Sequence, residues 1–87
     1  MGERLLDVSA LEPPEPRDRV VAALEILADG EYLRVRHRRE PLLLYPWLQE
    51  HGFAWHTQAG DITAFEIIVW HTDDARATAA AARVLKP

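Results

Sequence analysis

Hydrophobic and polar positions along the chain change period several times, and each change marks an element. Residues 4–8 alternate, with Leu6 and Val8 on one side and Leu5 and Asp7 on the other, as a short strand requires. Residues 9–16 cannot extend it, because Pro13, Pro14 and Pro16 remove backbone donors and fix φ. This is a stiff loop, and Pro16 suits the first turn of a helix, where Asp18 also complements the positive end of the helix dipole. Over residues 17–27, Val20, Val21, Ala23, Leu24 and Leu27 recur at helical spacing opposite Arg17, Asp18, Arg19 and Glu25. Asp29 and Gly30 end that helix, with Gly30 as a left-handed cap.

Residues 31–37 return to a period of two: Leu33, Val35 and His37 share one face, Tyr32, Arg34 and Arg36 the other. Arg38, Arg39 and Glu40 lead into a second helix over residues 41–52. Pro46 deletes a hydrogen bond there, so the helix is bent or starts late, with Leu43, Leu44, Trp47 and Leu48 turned inward. Residues 53–57 predict a third strand, 58–61 a turn, and 63–71 a fourth strand in which Phe65, Ile67 and Val69 alternate with Glu66, Ile68 and Trp70. Asp73 or Asp74 caps an alanine-rich C-terminal helix over about 74–85, whose weak stripe of Ala77, Ala81, Val84 and Leu85 suits an add-on.

The resulting order is βαβ-αββ-α. A right-handed crossover makes the first two strands parallel, and a short turn makes the last two a hairpin. The fold class is therefore α+β: a two-layer α/β sandwich, with a four-stranded mixed sheet and the first two helices on one face. Eighty-seven residues form one domain, 1–87, with its core over 4–71. A core this small leaves any deep site to an edge or to a contact between copies.

Charge and composition narrow the functions. With 10 Lys and Arg against 14 Asp and Glu the net charge is -4, which disfavours nucleic acid and anionic membrane as partners. The absence of cysteine removes disulfides, thiol nucleophiles and Cys-ligated metal centres. No apolar run reaches the roughly 20 residues of a bilayer span, and the first ten residues lack a signal peptide's pattern, so the cytoplasm is the expected compartment.

At LDVSALEPPEP (residues 6–16), the helix Val-Val-Ala-Ala-Leu that follows, Gly30-Glu31 and the Pro41/Pro46 helix, the chain resembles the TusA-like (SirA-like) superfamily over roughly residues 5–71. Sulfur carriers of that superfamily read Cys-Pro-X-Pro at the start of the first helix, and the thiol carries a persulfide. Here Pro14, Glu15 and Pro16 match Pro-X-Pro, while Pro13 occupies the cysteine position. With Glu12 this forms the motif loop. Arg39-Glu40-Pro41-Leu42, Leu44-Tyr45-Pro46 and Gly52-Phe53-Ala54-Trp55 are similar to an uncharacterised, cysteine-lacking bacterial branch, domain of unknown function 2249, some members of which accompany haemerythrin-like domains. The resemblance implies the scaffold without sulfur relay: no enzyme, no cofactor, and a non-catalytic protein-interaction or regulatory module.

Several surfaces are candidates for the interaction. Tyr32, Arg34, Arg36, Glu66, Ile68 and Trp70 fall on the sheet face away from the first two helices, and aromatic and arginine side chains dominate binding hot spots. That face docks a partner protein or a second copy to make a homodimer, or the C-terminal helix folds back over it; Arg34 or Arg36 can also pair with Glu66 across strands. Among the four histidines, His37 and His71 end neighbouring strands, and with Glu40 they form a metal-site alternative in redox or nitrogen-oxide metabolism, against plain strand-end histidines. Asp7, Glu12 and Glu15 would do acid–base work only if burial raised one pKa, and Ser9, His37 and Asp7 lack triad spacing. The basic run Arg34, Arg36, Arg38 and Arg39 is the nucleic-acid alternative, set in an acidic chain.

Overall fold

A parallel pair at one side of a sheet and an antiparallel pair at the other dictate the arrangement seen in the computed structural model, which describes residues 2–87. The elements are β1 (Glu3–Asp7), α1 (Glu15–Glu25), β2 (Tyr32–His37), α2 (Leu44–Glu50), β3 (Phe53–Ala59), β4 (Phe65–His71) and α3 (Ala75–Ala82). The strands lie in the order β1-β2-β4-β3. β1 runs parallel to β2, and β4 is antiparallel to both of its neighbours. The α+β sandwich expected from the periodicity is the architecture found.

Register fixes the faces. Leu6 pairs with Val35, Leu33 with Val69 and Val35 with Ile67, so one face presents a continuous aliphatic surface. Val20 and Leu24 of α1 and Leu44 and Leu48 of α2 close over it, and Leu48, Val35, Ile67 and Val69 are wholly buried. Interdigitated aliphatic side chains of this kind supply most of the stability of so small a domain.

Helix boundaries differ from expectation for local reasons. α1 starts two residues early because Pro16 fits its first turn, where no backbone donor is needed, and it ends at Glu25. Gly30 is therefore not its cap. Its φ of 81° serves the later turn into β2, in which the Glu31 N–H donates to Ala28 O at 3.1 Å. Of the two options for the second helix, the late start is realised: α2 opens at Leu44, which puts Pro46 in the first turn and costs no hydrogen bond. β3 runs two residues beyond the expected end.

Of the two readings of the second sheet face, docking of a partner and cover by the C-terminal helix, the structure realises the cover. Asp74 caps α3, accepting from the Ala77 N–H at 2.9 Å, and the helix lies over the second face of the sheet, burying Tyr32, Ile68 and Trp70 beneath Ala77 and Ala81. The proposed docking surface is thus largely internal. Alanine made the helix read as a weak amphipath, yet its small side chains admit bulky partners from the sheet. Val84 and Leu85 continue the cover beyond the helix end. Among the described residues, no helix is long and apolar enough to cross a membrane.

Candidate functional site

Parallel pairing of β1 and β2 places both C-terminal strand ends at one edge, so the loops that leave them must be neighbours. In open α/β sheets this is where ligands bind. Asp7 begins the first loop by accepting the Ser9 N–H at 2.9 Å and its hydroxyl at 2.6 Å; these bonds hold the Asp7 carboxyl below its ordinary pKa. Glu12 then pairs with Arg38 at 3.1 Å, joining the first loop to the second.

Between these loops and the start of α1 lies a groove of about 410 Å³. Pro13, Pro14, Pro16, Val20, Pro41, Leu42, Leu43 and Leu44 make it mostly apolar, with Arg17, His37, Arg39 and Glu40 as its polar members. Leu42 and Leu43 at the rim are 63% and 88% exposed, unusual for adjacent leucines with no neighbour to cover them. Prolines build the walls: rings without N–H groups leave apolar surface and few donors.

His37 closes the inner end of β2. Its Nδ1 accepts the Arg39 N–H at 3.2 Å, so in the neutral ring Nε2 carries the proton. Burial lowers its pKa, and the positive charges of Arg38 and Arg39 lower it further. Glu40 accepts from the Tyr45 hydroxyl at 3.1 Å. That hydroxyl also bonds Thr57, and the Tyr45 ring stacks on Trp55 with centroids 5.2 Å apart. Burial pushes the Tyr45 pKa up; the Thr57 bond opposes this and Glu40 adds to it.

The motif loop and His37 with Glu40, singled out separately in the sequence, thus meet in one groove. Glu12 and Glu15 do not act as a pair: Glu12 is tied to Arg38, and Glu15 faces Arg19 at 3.8 Å along α1. Ser9 is bonded to Asp7 and not to His37, so these three form no relay.

The metal alternative is corrected by strand direction. His37 pairs with Phe65, and His71 lies six residues further along β4, about 20 Å at 3.3 Å per residue. His37 and Glu40 sit at the groove, whereas His71 packs against Phe53 at the opposite end, with ring centroids 4.5 Å apart. Among the described residues no three His, Asp or Glu side chains gather as a metal site would need.

The second sheet face carries a polar network beside its buried aromatics. Tyr32 donates to Glu3 Oε1 at 2.6 Å, and Arg34 bridges Glu3 at 3.0 Å and Glu66 at 2.6 Å. Gln58 donates to Val84 O at 3.3 Å and accepts from the Lys86 N–H at 2.9 Å, fastening the C-terminal residues over Glu66. Burial alone would raise the Glu3 pKa, but the bonds from Tyr32 and Arg34 and the Arg34 charge hold it below its ordinary value. Of the six docking candidates, Arg34 and Glu66 are thus an internal ion pair, while Arg36 is half-buried with its Nε left without a partner. Arg34 and Arg38 of the basic run are engaged with carboxylates, which breaks up that run as a phosphate-binding stripe.

The family model described as Uncharacterized conserved protein (DUF2249) matches residues 5–71. The chain belongs to this family. No curated protein matches the chain. No solved structure matches it either. The DUF2249 segment contains all four strands except the start of β1, and every groove residue; α3 lies beyond it.

Proposed function

We propose that this DUF2249 domain is a non-catalytic interaction or regulatory module, built on a TusA-like scaffold, whose working surface is the groove between the motif loop and residues 37–44. The observation that carries the reading is the groove itself: apolar, about 410 Å³, and bordered by two exposed leucines. Concave, mostly apolar sites with a few convergent polar groups are the usual form of binding pockets, with volumes of about 300–1,000 Å³. That volume favours a small ligand over a folded partner as the occupant.

The chemistry of the nearby groups supports a binding role over catalysis. A general acid needs a carboxyl whose pKa is raised toward neutrality. Asp7 is shifted the other way, and Glu12 is paired with Arg38. Sulfur relay needs a thiol, and the chain has no cysteine. The TusA-like reading draws on the Pro-X-Pro segment at the start of α1 and on the βαβαββ order. The negative net charge disfavours nucleic acid as a partner.

The reading is tested by recording ¹H–¹⁵N correlation spectra of the full chain against a chemically mixed set of small fragments. Bound fragments are expected to shift the amides of Glu15 and Arg17 and of residues 37–40 and 42–44, and to be recovered unchanged. Binders that map to the opposite end of the sheet, or any fragment that is converted, overturn it.

A further inference from the structure

Among the groove's polar side chains, donors outnumber acceptors: Arg17, His37 and Arg39 against Glu40. Arg17 and Arg39 line it, are exposed, and have no carboxylate partner among the described residues. The neutral His37 ring offers Nε2–H, since Nδ1 is engaged by Arg39. Several acceptors are engaged: one Glu40 oxygen holds the Tyr45 hydroxyl, and the carbonyls of Pro14, Glu40, Pro41 and Leu42 accept the N–H groups of Asp18, Leu42, Leu44 and Tyr45. The lining carries two guanidiniums against one carboxylate. A ligand that fits such a place is apolar along its body and accepts hydrogen bonds at its head.

We propose that the groove binds a small apolar monocarboxylate, its hydrocarbon body against Pro13, Pro16, Val20 and Leu42 and its carboxylate between Arg17 and Arg39. Guanidinium–carboxylate contacts are charge-assisted and directional, and at an exposed rim each is worth up to about fivefold in affinity once solvent screening is allowed for. The proline and leucine walls reward removal of a hydrocarbon chain from water. The proposal rests on the groove being the binding surface and goes further by naming the head group.

Three probes share one body and differ only in the head: octanoate, octan-1-ol and octylamine, titrated into the full chain and followed by ¹H–¹⁵N shifts. Octanoate is expected to bind about tenfold tighter than octan-1-ol, with octylamine weakest, and to lose affinity as salt is raised. Arg17→Gln and Arg39→Gln, both at exposed positions, should each weaken octanoate about three- to fivefold and leave octan-1-ol unchanged. Equal binding of octanoate and octan-1-ol overturns the carboxylate head while leaving the groove as a binding surface. If none of the three probes shifts residues of the groove, both readings fall.

Discussion

On the α1–α2 side of the sheet, large aliphatic side chains meet others of their kind: Leu33, Val35, Ile67 and Val69 against Val20, Leu24, Leu44 and Leu48. On the α3 side, the helix itself contributes only small side chains, and Tyr32, Ile68 and Trp70 meet Ala77 and Ala81. Yet Ile67 and Ile68, adjacent in β4 and pointing to opposite faces, are both 0% exposed. Closure depends on complementary size across the contact rather than on how hydrophobic the helix is. The faces differ in what surrounds that contact. The α3 side is completed by ion pairs and by the tethered C-terminal residues, whereas the α1–α2 side ends in the open groove with its exposed leucines.

The two isoleucines offer a matched pair for breaking this comparison. Ile67→Ala and Ile68→Ala remove the same atoms from equally buried positions, and each is expected to cost about 2–5 kcal/mol in urea unfolding. If α3 is packed as tightly as α1 and α2, the two losses agree to within about 1 kcal/mol. A loss below about 1 kcal/mol for Ile68→Ala alone would mean that α3 is only loosely laid on the sheet.

A smaller loss, about 1–3 kcal/mol, is expected for Glu66→Gln, which keeps the shape but removes the charge opposite Arg34 at 2.6 Å. The Glu66 side chain is only 4% exposed and that of Arg34 17%, so salt should screen this loss little. Disappearance of the difference in about 1 M salt would show that water reaches the pair and that the polar half of the α3 side is open.

These contrasts were unequally legible in the sequence. Alternation in Leu33–Val35 and Phe65–Val69 is a direct signal of strands, and the face carrying Leu33, Val35, Ile67 and Val69 is buried as it predicts, although α3 buries the other face as well. Pro46 also carried its own answer, since a proline within α2 is free of cost only in the first turn. Cover for Trp70 was legible only as one of two alternatives, because a stripe of alanines has little hydrophobic contrast, and what recommends it is fit to a neighbour remote in sequence. His37 and His71 looked equivalent as strand-end residues until strand direction separated them. The groove escaped as a unit although its parts were noticed. Parallel pairing of the first two strands was the available signal, since it forces residues 9–14 and 38–43 to one edge.

At that edge, a pH dependence distinguishes His37 from the carboxylates. Its folded pKa lies below the ordinary 6.5, owing first to burial and then to Arg38 and Arg39, so the unfolded chain binds the proton more readily. Stability is therefore unaffected above about pH 6.5 and declines as pH falls through that value toward the lower folded pKa. Glu3 and Asp7, whose folded pKa values are depressed from 4.5 and 3.8, contribute stability above those values and lose it only at lower pH. Unfolding followed between about pH 7 and 5 should show a shallow slope that His37→Gln abolishes. A slope that survives the substitution would assign it to another group and leave His37 as exposed as its rim neighbours.

The smallest effect on stability is expected where the comparison leaves the α1–α2 side unfinished. Leu43 is 88% exposed, so Leu43→Ser should change the unfolding free energy by no more than about 0.5 kcal/mol. The same change removes apolar surface from the groove's rim and should weaken octanoate about two- to fivefold, the share of a leucine's burial energy that a rim contact recovers. A residue that matters to binding but not to folding is the signature of a surface held open for an occupant. A loss above about 1 kcal/mol would instead mean that Leu43 is packed in solution and the groove closed, with the α1–α2 side sealed as fully as the side under α3.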